Sequence, residues 1–395
     1  MSAGGAAGPA RIYVTDCEGP LTKNDNAQEI AARFIPDGAG FFARLSKYDD
    51  FLVDVARKPG YNAGNTLRLI PPFFVAHHVS DEDVRLFSAE GVLLVPGVAK
   101  ALQQIRALLP TFIISTSYTP YLQALRDLIG FPLENVRCTE LSLDAWELPE
   151  AEAEWLRSWV PRVCERPLIE CPDEAMTAAD GHGAGGAGAS DPAADSGVPA
   201  DSGDPGAAPW RSPDEALAWL SAEDGETVRQ LDRLFWQEMR EHPVSRALIE
   251  TVRPIGGGMK LAALEEIAAA QGAAGADVMY VGDSITDTPP LAAVRRWGGV
   301  SLSFNGNGYA LAAAEFAAAS PDAAVAAELA KAFAGGGRDG VEAAVHRWPK
   351  PTKGEKPNGR ARTRVGLTAE EPEALAEASA AARRSVRGER IASLG

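Results

Sequence analysis

The sequence predicts an α/β fold: a parallel sheet with helices on both faces. Two apolar runs far apart in the chain, residues 11–15 and 278–281, have the length and β-branched content of buried strands, and both end on acidic residues. Further strand patterns alternate with helical patterns, which is typical of parallel sheets. The chain has 395 residues, 46% of them hydrophobic, so it can form a sizeable core and more than one domain.

The predicted elements of the sheet domain follow in chain order. A strand over 11–15 ends at Asp16, and a second over 111–115 ends in a hydroxyl residue. The remaining elements are a helix over 120–129 closed by Gly130, a helix over 261–271, a strand over 278–281, a helix beginning near Pro289, a strand over 300–304 and a helix over 310–319.

Two insertions interrupt this pattern. Residues 24–95 read as a helical cap, with a capping-box pattern at Ser80, and residues 143–250 as a second helical insert, with another at Ser212. The composition of residues 177–209 predicts disorder, because it offers too little apolar surface to bury. The sheet domain then comprises 11–23, 96–142 and 251–340, between a flexible N-terminus (1–10) and a solvated C-terminal tail (350–395).

Charge and composition restrict the classes of partner. The formal net charge of −16 argues against nucleic acid as the main partner, but it is compatible with small phosphorylated molecules. Residues 1–10 lack the pattern of a signal peptide, and no apolar run is long enough to span a membrane. The four cysteines have no C-x-x-C spacing, so we expect a reduced, cytoplasmic protein that does not bind membranes.

Acidic residues at the ends of two parallel strands can converge on one Mg²⁺ ion, which prefers carboxylate oxygens together with substrate phosphate. Between these two strand ends lie a strand that ends in a hydroxyl residue and a lysine that follows three glycines. In chain order the motifs are Asp16-x-Glu18, Ser115, Lys260 and Gly282-Asp283-x-x-x-Asp287. This series resembles the haloacid dehalogenase (HAD) superfamily of phosphatases and phosphotransferases, and the resemblance implies a Rossmann-like sheet with a cap.

The resemblance also implies roles for these residues. Asp16 matches the nucleophile that forms an aspartyl phosphate, and Glu18 the general acid and base. Ser115 and Lys260 would contact the phosphoryl group, although Thr116 and Ser117 are alternatives to Ser115. Mg²⁺ would bind the Asp16 side chain, the Glu18 backbone carbonyl and Asp283, with Asp287 nearby. Two positions depart from the common pattern: Glu18 where most phosphatases have Asp, and Pro20 where many members have Thr.

Longer segments narrow the resemblance. Asp-x-Glu-Gly occurs in the phosphoserine phosphatase and phosphoserine–homoserine phosphotransferase branch. Residues 16–25 and 48–72 also look like a little-studied group whose archaeal members are often labelled an energy-converting hydrogenase accessory subunit. The resemblance covers residues 10–145 and 250–335. We therefore expect a Mg²⁺-dependent phosphatase or phosphotransferase acting on a small phosphomonoester, with a phosphoserine-like molecule as one candidate. The alternatives are a non-catalytic accessory or assembly protein and, more remotely, a dehalogenase.

Several residues have two interpretations. Arg57, Lys58 and Arg68 could bind a second anionic group of the substrate or form a solvated charged face. His77 and His78, in turn, are candidate metal ligands or ordinary surface and core histidines. Cys17 is a candidate nucleophilic thiol or a small packing residue, and its acidic neighbours favour packing because they raise a thiol pKa.

Overall fold

A seven-stranded sheet is the centre of this computed structural model, which describes residues 11–171, 212–347, 362–365 and 372–388. Six strands are parallel and the last is antiparallel to its neighbour, in the order β3-β2-β1-β4-β5-β6-β7. The strands are β1 (Ile12–Thr15), β2 (Thr111–Tyr118), β3 (Val136–Thr139), β4 (Val278–Gly282), β5 (Val300–Phe304), β6 (Phe316–Ala319) and β7 (Arg362–Val365).

Helices cover both faces of the sheet, as predicted. Side chains of β1 alternate between the two faces, so that Tyr13 packs into one apolar cluster and Ile12 and Val14 into the other. The Tyr13 face is covered by α6 (Val98–Arg106), α7 (Thr119–Ile129) and α15 (Ala324–Val345), and the opposite face by α12 (Gly258–Gln271) and α13 (Thr288–Arg296). The expectation of an α/β fold with helices on both faces is confirmed.

The two insertions share one hydrophobic core. The first contributes α1 (Asn26–Phe34), α2 (Gly38–Asp50), α3 (Thr66–Leu69), α4 (Pro71–Ala76) and α5 (Asp81–Gly91). The second contributes α8 (Glu150–Cys164), α9 (Pro213–Leu217), α10 (Ala222–Asp232) and α11 (Pro243–Thr251). A single cluster of buried side chains joins them, with Phe73 between Phe41 of the first insertion and Phe235 of the second. We call this two-part structure the helical unit.

Three short helical turns complete the helical unit. Phe51–Val55 continues α2 as a π-helical turn, and Arg233–Gln237 does the same after α10, followed by a 3₁₀ turn at Glu238–Glu241. Both predicted capping boxes are present, at Ser80 and at Ser212.

The predicted disordered segment 177–209 and the N-terminal residues 1–10 lie outside the described residues. Within the described parts of the chain, no helix combines the length and apolar character needed to cross a bilayer.

The predicted helix over 310–319 is wrong in its second half. Helix α14 (Gly308–Ala313) ends early, and residues 316–319 form strand β6, paired with Leu302, Ser303 and Phe304 of β5. The alanines of this segment favour a helix locally. All four residues of β6 are buried, however, and sheet pairing with burial outweighs a local preference of a few tenths of a kcal/mol per residue.

The expectation of a solvated C-terminal tail is wrong for residues 372–388. Strand β7 extends the sheet at its β6 edge, and α16 (Pro372–Arg387) packs against the sheet domain. Leu375 joins a small cluster with Leu311 and Ala317, and Arg383 is only 4% exposed. The basic end of this helix faces the carboxyl ends of the strands, where Arg383 and Arg387 contact Asp283.

Candidate active site

Three carboxylates meet at the carboxyl edge of the two central strands. Asp16 follows β1 and Asp283 follows β4, which pair in register, so the two residues leave the sheet side by side. Asp287 lies one turn further on, in the short helical turn before α13. Each carboxylate offers an oxygen within 4.8 Å of the other two, and all three residues are buried. Such an all-oxygen set suits a hard divalent cation.

Lys260 joins two of these carboxylates. It lies in the first turn of α12, is 0% exposed, and its Nζ is 2.8 Å from both Asp16 Oδ2 and Asp287 Oδ1. Burial alone would lower the pKa of Lys260, but the charges of Asp16 and Asp287 raise it above its ordinary value. The lysine therefore stays charged and fixes the distance between two groups that would otherwise repel each other.

Asp287 is already saturated with donors. Its Oδ1 accepts hydrogen bonds from Lys260 and from the Tyr280 hydroxyl, and its Oδ2 accepts from the backbone N–H groups of Asp283 and Ser284. Although burial opposes its ionisation, Lys260 and these hydrogen bonds lower the pKa of Asp287. Asp287 is thus held as a carboxylate whose oxygens are occupied by the protein, which suits support of a cation site better than direct ligation.

The carboxylates of Asp16 and Asp283 accept fewer hydrogen bonds than that of Asp287. The backbone N–H of Cys17 donates to Asp16 Oδ1 at 2.7 Å, and burial together with the charge of Asp287 raises the pKa of Asp16 in the absence of a cation, against the effect of Lys260. Asp283 Oδ1 is buried and has no hydrogen-bond partner among the described residues. A buried carboxylate oxygen without a partner is costly, and a bound cation would satisfy it.

The other oxygen of Asp283 accepts from two arginines of α16. The Arg383 and Arg387 guanidinium groups both donate through Nη1 to Asp283 Oδ2, the latter at 3.1 Å. Arg387 also donates to the backbone carbonyls of Lys23 and Asn24, in the loop after β1. No motif in the sequence points to these arginines as site residues. Their spacing of four residues, which places both on one face of a helix, is the sequence feature that could have indicated a shared role.

Glu18 lies at the edge of the same site. It is half-buried, and its Oε1 accepts a hydrogen bond of 2.7 Å from the backbone N–H of Asn26 at the start of α1. Burial and the charge of Asp25 raise the pKa of Glu18 to about 8, against the effect of the Asn26 N–H. A carboxyl group of this kind is protonated at neutral pH and can donate a proton.

Glycine is required beside Asp283. Gly19 has a φ of 103°, and a Cβ atom at this position would lie 2.2 Å from the Asp283 carboxyl carbon. The Asp-x-Glu-Gly motif thus brings backbone against the second acidic strand end. Cys17, between the two acids, is fully buried in the apolar cluster beneath the site, as expected for a packing residue.

Two other predicted features are located differently from expectation. Ser115 is fully buried and its hydroxyl oxygen accepts from the Ser117 N–H, whereas its neighbour Thr116 lines the cavity beside the site. The glycines before Lys260 allow a close backbone approach, but to the chain itself: a Cβ atom on Gly256 would lie 2.2 Å from the Ala63 carbonyl oxygen. This contact joins the loop before Lys260 to the helical unit.

A cavity of about 120 Å³ lies between the strand ends, the helical unit and α16. Asp16, Glu18 and Asp283 form its floor, and α2 contributes further acidic residues, Asp49 and Asp50. Its cationic lining residues among those described are Arg383 and Arg387, rather than the candidates from the cap. Arg57, Lys58 and Arg68 are absent from this lining, and Lys58 lies instead over the Trp236 ring, 3.3 Å from its centroid.

The two histidines of the cap also lie away from the site. Neither His77 nor His78 lines the cavity, and among the described residues the carboxylates Asp16, Asp283 and Asp287 form the one group with metal-binding geometry. The interpretation of His77 and His78 as ordinary surface or core residues agrees with this placement.

Comparison with known proteins supports the fold. No family model matches the chain, and no curated protein does. A solved structure, gene product AF1437 from Archaeoglobus fulgidus, is similar to it with a TM-score of 0.74 and 26% sequence identity. The match covers 98% of this chain and 99% of that one, so the similarity extends over nearly the full length of both.

Proposed function

We propose that the protein is a HAD-type, Mg²⁺-dependent phosphatase or phosphotransferase that acts on a small phosphomonoester. The observation that carries this proposal is the convergence of Asp16, Asp283 and Asp287 around the buried amine of Lys260. These residues come from three separate parts of the chain. In phosphoryl transfer a carboxylate must approach a negatively charged phosphate. The positive charge of Lys260, between Asp16 and Asp287, reduces the repulsion between them.

The residues fit a divalent cation. Asp16 and the partnerless Oδ1 of Asp283 would hold it, with the backbone carbonyl of Glu18 as a further candidate ligand, and Asp287 would support the site through its hydrogen bonds. When bound, Mg²⁺ would supply the positive charge that offsets repulsion between a carboxylate and a phosphate.

In the proposed reaction, an Asp16 oxygen attacks phosphorus while the bond between phosphorus and the ester oxygen breaks. Lys260 orients Asp16 and, together with a bound cation, would hold it in the ionised form. Glu18 donates its proton to the departing oxygen, so that an alcohol leaves and an aspartyl phosphate remains. The carboxylate of Glu18 then takes a proton from a water molecule or an acceptor alcohol, whose oxygen attacks phosphorus. The bond between phosphorus and the Asp16 oxygen breaks, phosphate or the new phosphomonoester leaves, and the Asp16 carboxylate and a protonated Glu18 are restored.

The cavity supports a small substrate. At about 120 Å³ it has the size for a small molecule. Arg383 and Arg387 in its wall are bonded to Asp283, and their charge offsets part of the acidic character of the site.

The decisive experiment is phosphate release from a panel of phosphomonoesters that includes phosphoserine, with and without Mg²⁺. For Asp16→Asn we expect release to fall by at least about three orders of magnitude, because the nucleophile is lost. The matched control is Asp339→Asn, which makes the same change at a site whose side chain is 95% exposed and should leave turnover unchanged.

The opposite result is equally informative. Equal and negligible release by wild type and Asp16→Asn across the panel, with Mg²⁺ present, would contradict the proposal and favour the non-catalytic accessory protein. Release that depends on Mg²⁺ but not on Asp16 would reject the aspartyl-phosphate route alone.

A further inference from the structure

The C-terminal helix α16 reaches the metal-binding edge of the sheet with two arginines. Arg383 donates to both the side chain and the backbone carbonyl of Asp283, and Arg387 donates to the same Oδ2. These contacts span 100 and 104 residues of sequence. They converge on one acid of the three, and on one oxygen of that acid.

The helix is anchored so that this contact is fixed. Its buried positions form one stripe: Leu375 packs on Leu311 and Ala317, Ser379 donates to the Gly306 carbonyl at 2.7 Å, and Val386 joins the main apolar cluster of the sheet domain. Gly306 belongs to the loop that follows β5, and Asn307 in that loop donates its N–H to the Asp283 carbonyl. The helix, this loop and Asp283 therefore form one connected network.

The two oxygens of Asp283 are used differently. Oδ2 is held by two guanidinium groups, whereas the buried Oδ1 has no partner among the described residues. A carboxylate held by one oxygen cannot turn freely, so the second oxygen keeps a fixed direction within the cluster that Asp283 forms with Asp16 and Asp287. Groups that hydrogen-bond to metal ligands in this way orient the ligand and affect metal affinity.

We propose that Arg383 and Arg387 are positioning residues for Asp283, and that α16 is a component of the metal site. This inference rests on the proposed metal-dependent function. The arginines act through Asp283: they hold its Oδ2, so that Oδ1 is presented to the cation. The final segment of the chain, which the motifs of the superfamily do not reach, then becomes necessary for cation binding.

The test is a Mn²⁺ titration followed by the EPR signal of the free ion, a readout independent of turnover. We expect Arg383→Gln and Arg387→Gln each to weaken Mn²⁺ binding about 10–100-fold, the range for loss of a partner of a metal ligand. Arg384→Gln removes the same charge from an exposed position of the same helix and should change the affinity less than about twofold. Thermal unfolding identifies variants that do not fold, and Arg387→Gln carries the test if Arg383→Gln is one of them.

A double-mutant cycle separates positioning from a general structural effect. If Arg383 acts through Asp283, Arg383→Gln should have little further effect once Asp283→Asn is present. Equal weakening in both backgrounds would overturn the inference, and so would unchanged or tighter binding by folded Arg383→Gln and Arg387→Gln. Absence of Mn²⁺ binding by the wild type would instead contradict the proposed metal-dependent function itself. The failure of the inference and the failure of the function are thereby distinguished.

Discussion

Lys260 is the residue on which the charge balance of the site depends. It is fully buried, and it touches two carboxylates that burial alone would drive towards protonation. An uncompensated buried charge is far more costly than a paired one. Lys260 therefore stabilises the fold at the same point where it orients Asp16.

Replacing this lysine should destabilise the protein. For Lys260→Met we expect a loss of about 3–5 kcal/mol in the free energy of unfolding at pH 7, because Asp16 and Asp287 lose their shared partner. The measurement is urea unfolding in EDTA. Lys331→Met, at an exposed position, is the control and should change the free energy by less than about 0.5 kcal/mol. Similar losses for both variants would contradict the assigned role.

Asp49 makes the free energy of unfolding depend on pH. Burial and the neighbouring charge of Asp50 raise the pKa of Asp49 to about 8, although the Gly64 N–H donates to its Oδ2. Because the folded state holds this proton between about pH 4 and pH 8 while the unfolded state has released it, Asp49 lowers stability as pH rises through that window.

Asp49→Asn should remove this penalty. We expect the free energy of unfolding of the variant to gain on that of wild type between pH 5 and pH 8, by an amount on the order of a few kcal/mol. The asparagine carbonyl can still accept from Gly64. Urea unfolding at both pH values measures the difference, with the exposed Asp339→Asn as control. A constant difference between variant and wild type at the two pH values would show that Asp49 ionises normally.

The sequence predicts the central site residues better than the peripheral ones. Asp16, Asp283 and Lys260 follow recognisable strands or begin a helix, and the order of these elements brings them together. Ser115 does not line the cavity whereas Thr116 does, because a strand pattern does not tell which of three consecutive hydroxyl residues faces it. The pairing of Arg383 with Asp283 leaves no local pattern, because the two residues are 100 positions apart.

At the scale of elements, β6 and α16 show where local preference fails. The alanines of β6 are helix formers, yet the strand is enclosed between β5 and β7 and fully buried. In α16 the order of charges, acidic at the start and basic at the end, is favourable for a helix. Its docking depends on a few apolar side chains that meet complementary surface elsewhere in the chain, which composition does not reveal.

Leu375 tests the docking of α16. It is 1% exposed and packs on Leu311 and Ala317, so Leu375→Ala should cost about 2 kcal/mol and loosen the helix. Hydrogen exchange in α16 should rise and Mn²⁺ binding should weaken, although no charge has changed. Leu108→Ala, at a position 50% exposed, should leave both unaffected. Full protection of α16 in Leu375→Ala would contradict this account of its anchoring.

At the scale of the molecule, two insertions far apart in sequence form one helical unit. Sequence patterns identified each as helical, but shared burial is a property of packing between them. Phe73 contacts Phe41 of the first insertion, with ring centroids 4.6 Å apart, and Phe235 of the second, at 6.3 Å. Neither insertion has a separate cluster of comparable size in the described residues.

Phe73→Ala should therefore weaken both insertions together. Removing a fully buried phenylalanine typically costs about 3–5 kcal/mol. We expect hydrogen exchange to increase in α2 and also in α10 and its π-helical extension, while β1 and β4 remain protected. An increase confined to residues 24–95 would show that the insertions unfold independently.

The shared core of the helical unit also limits how the site can exchange its contents. In the described parts of the chain, backbone connects the unit to the sheet domain at four places: between β1 and α1, α5 and α6, β3 and α8, and α11 and α12. A lid tethered at four points cannot swing on one hinge, so we expect small local movements rather than wide opening. Under the proposed function, a cavity of about 120 Å³ that opens only slightly would limit the size of the substrate, and the connectivity of the chain would take part in that selection without touching the substrate.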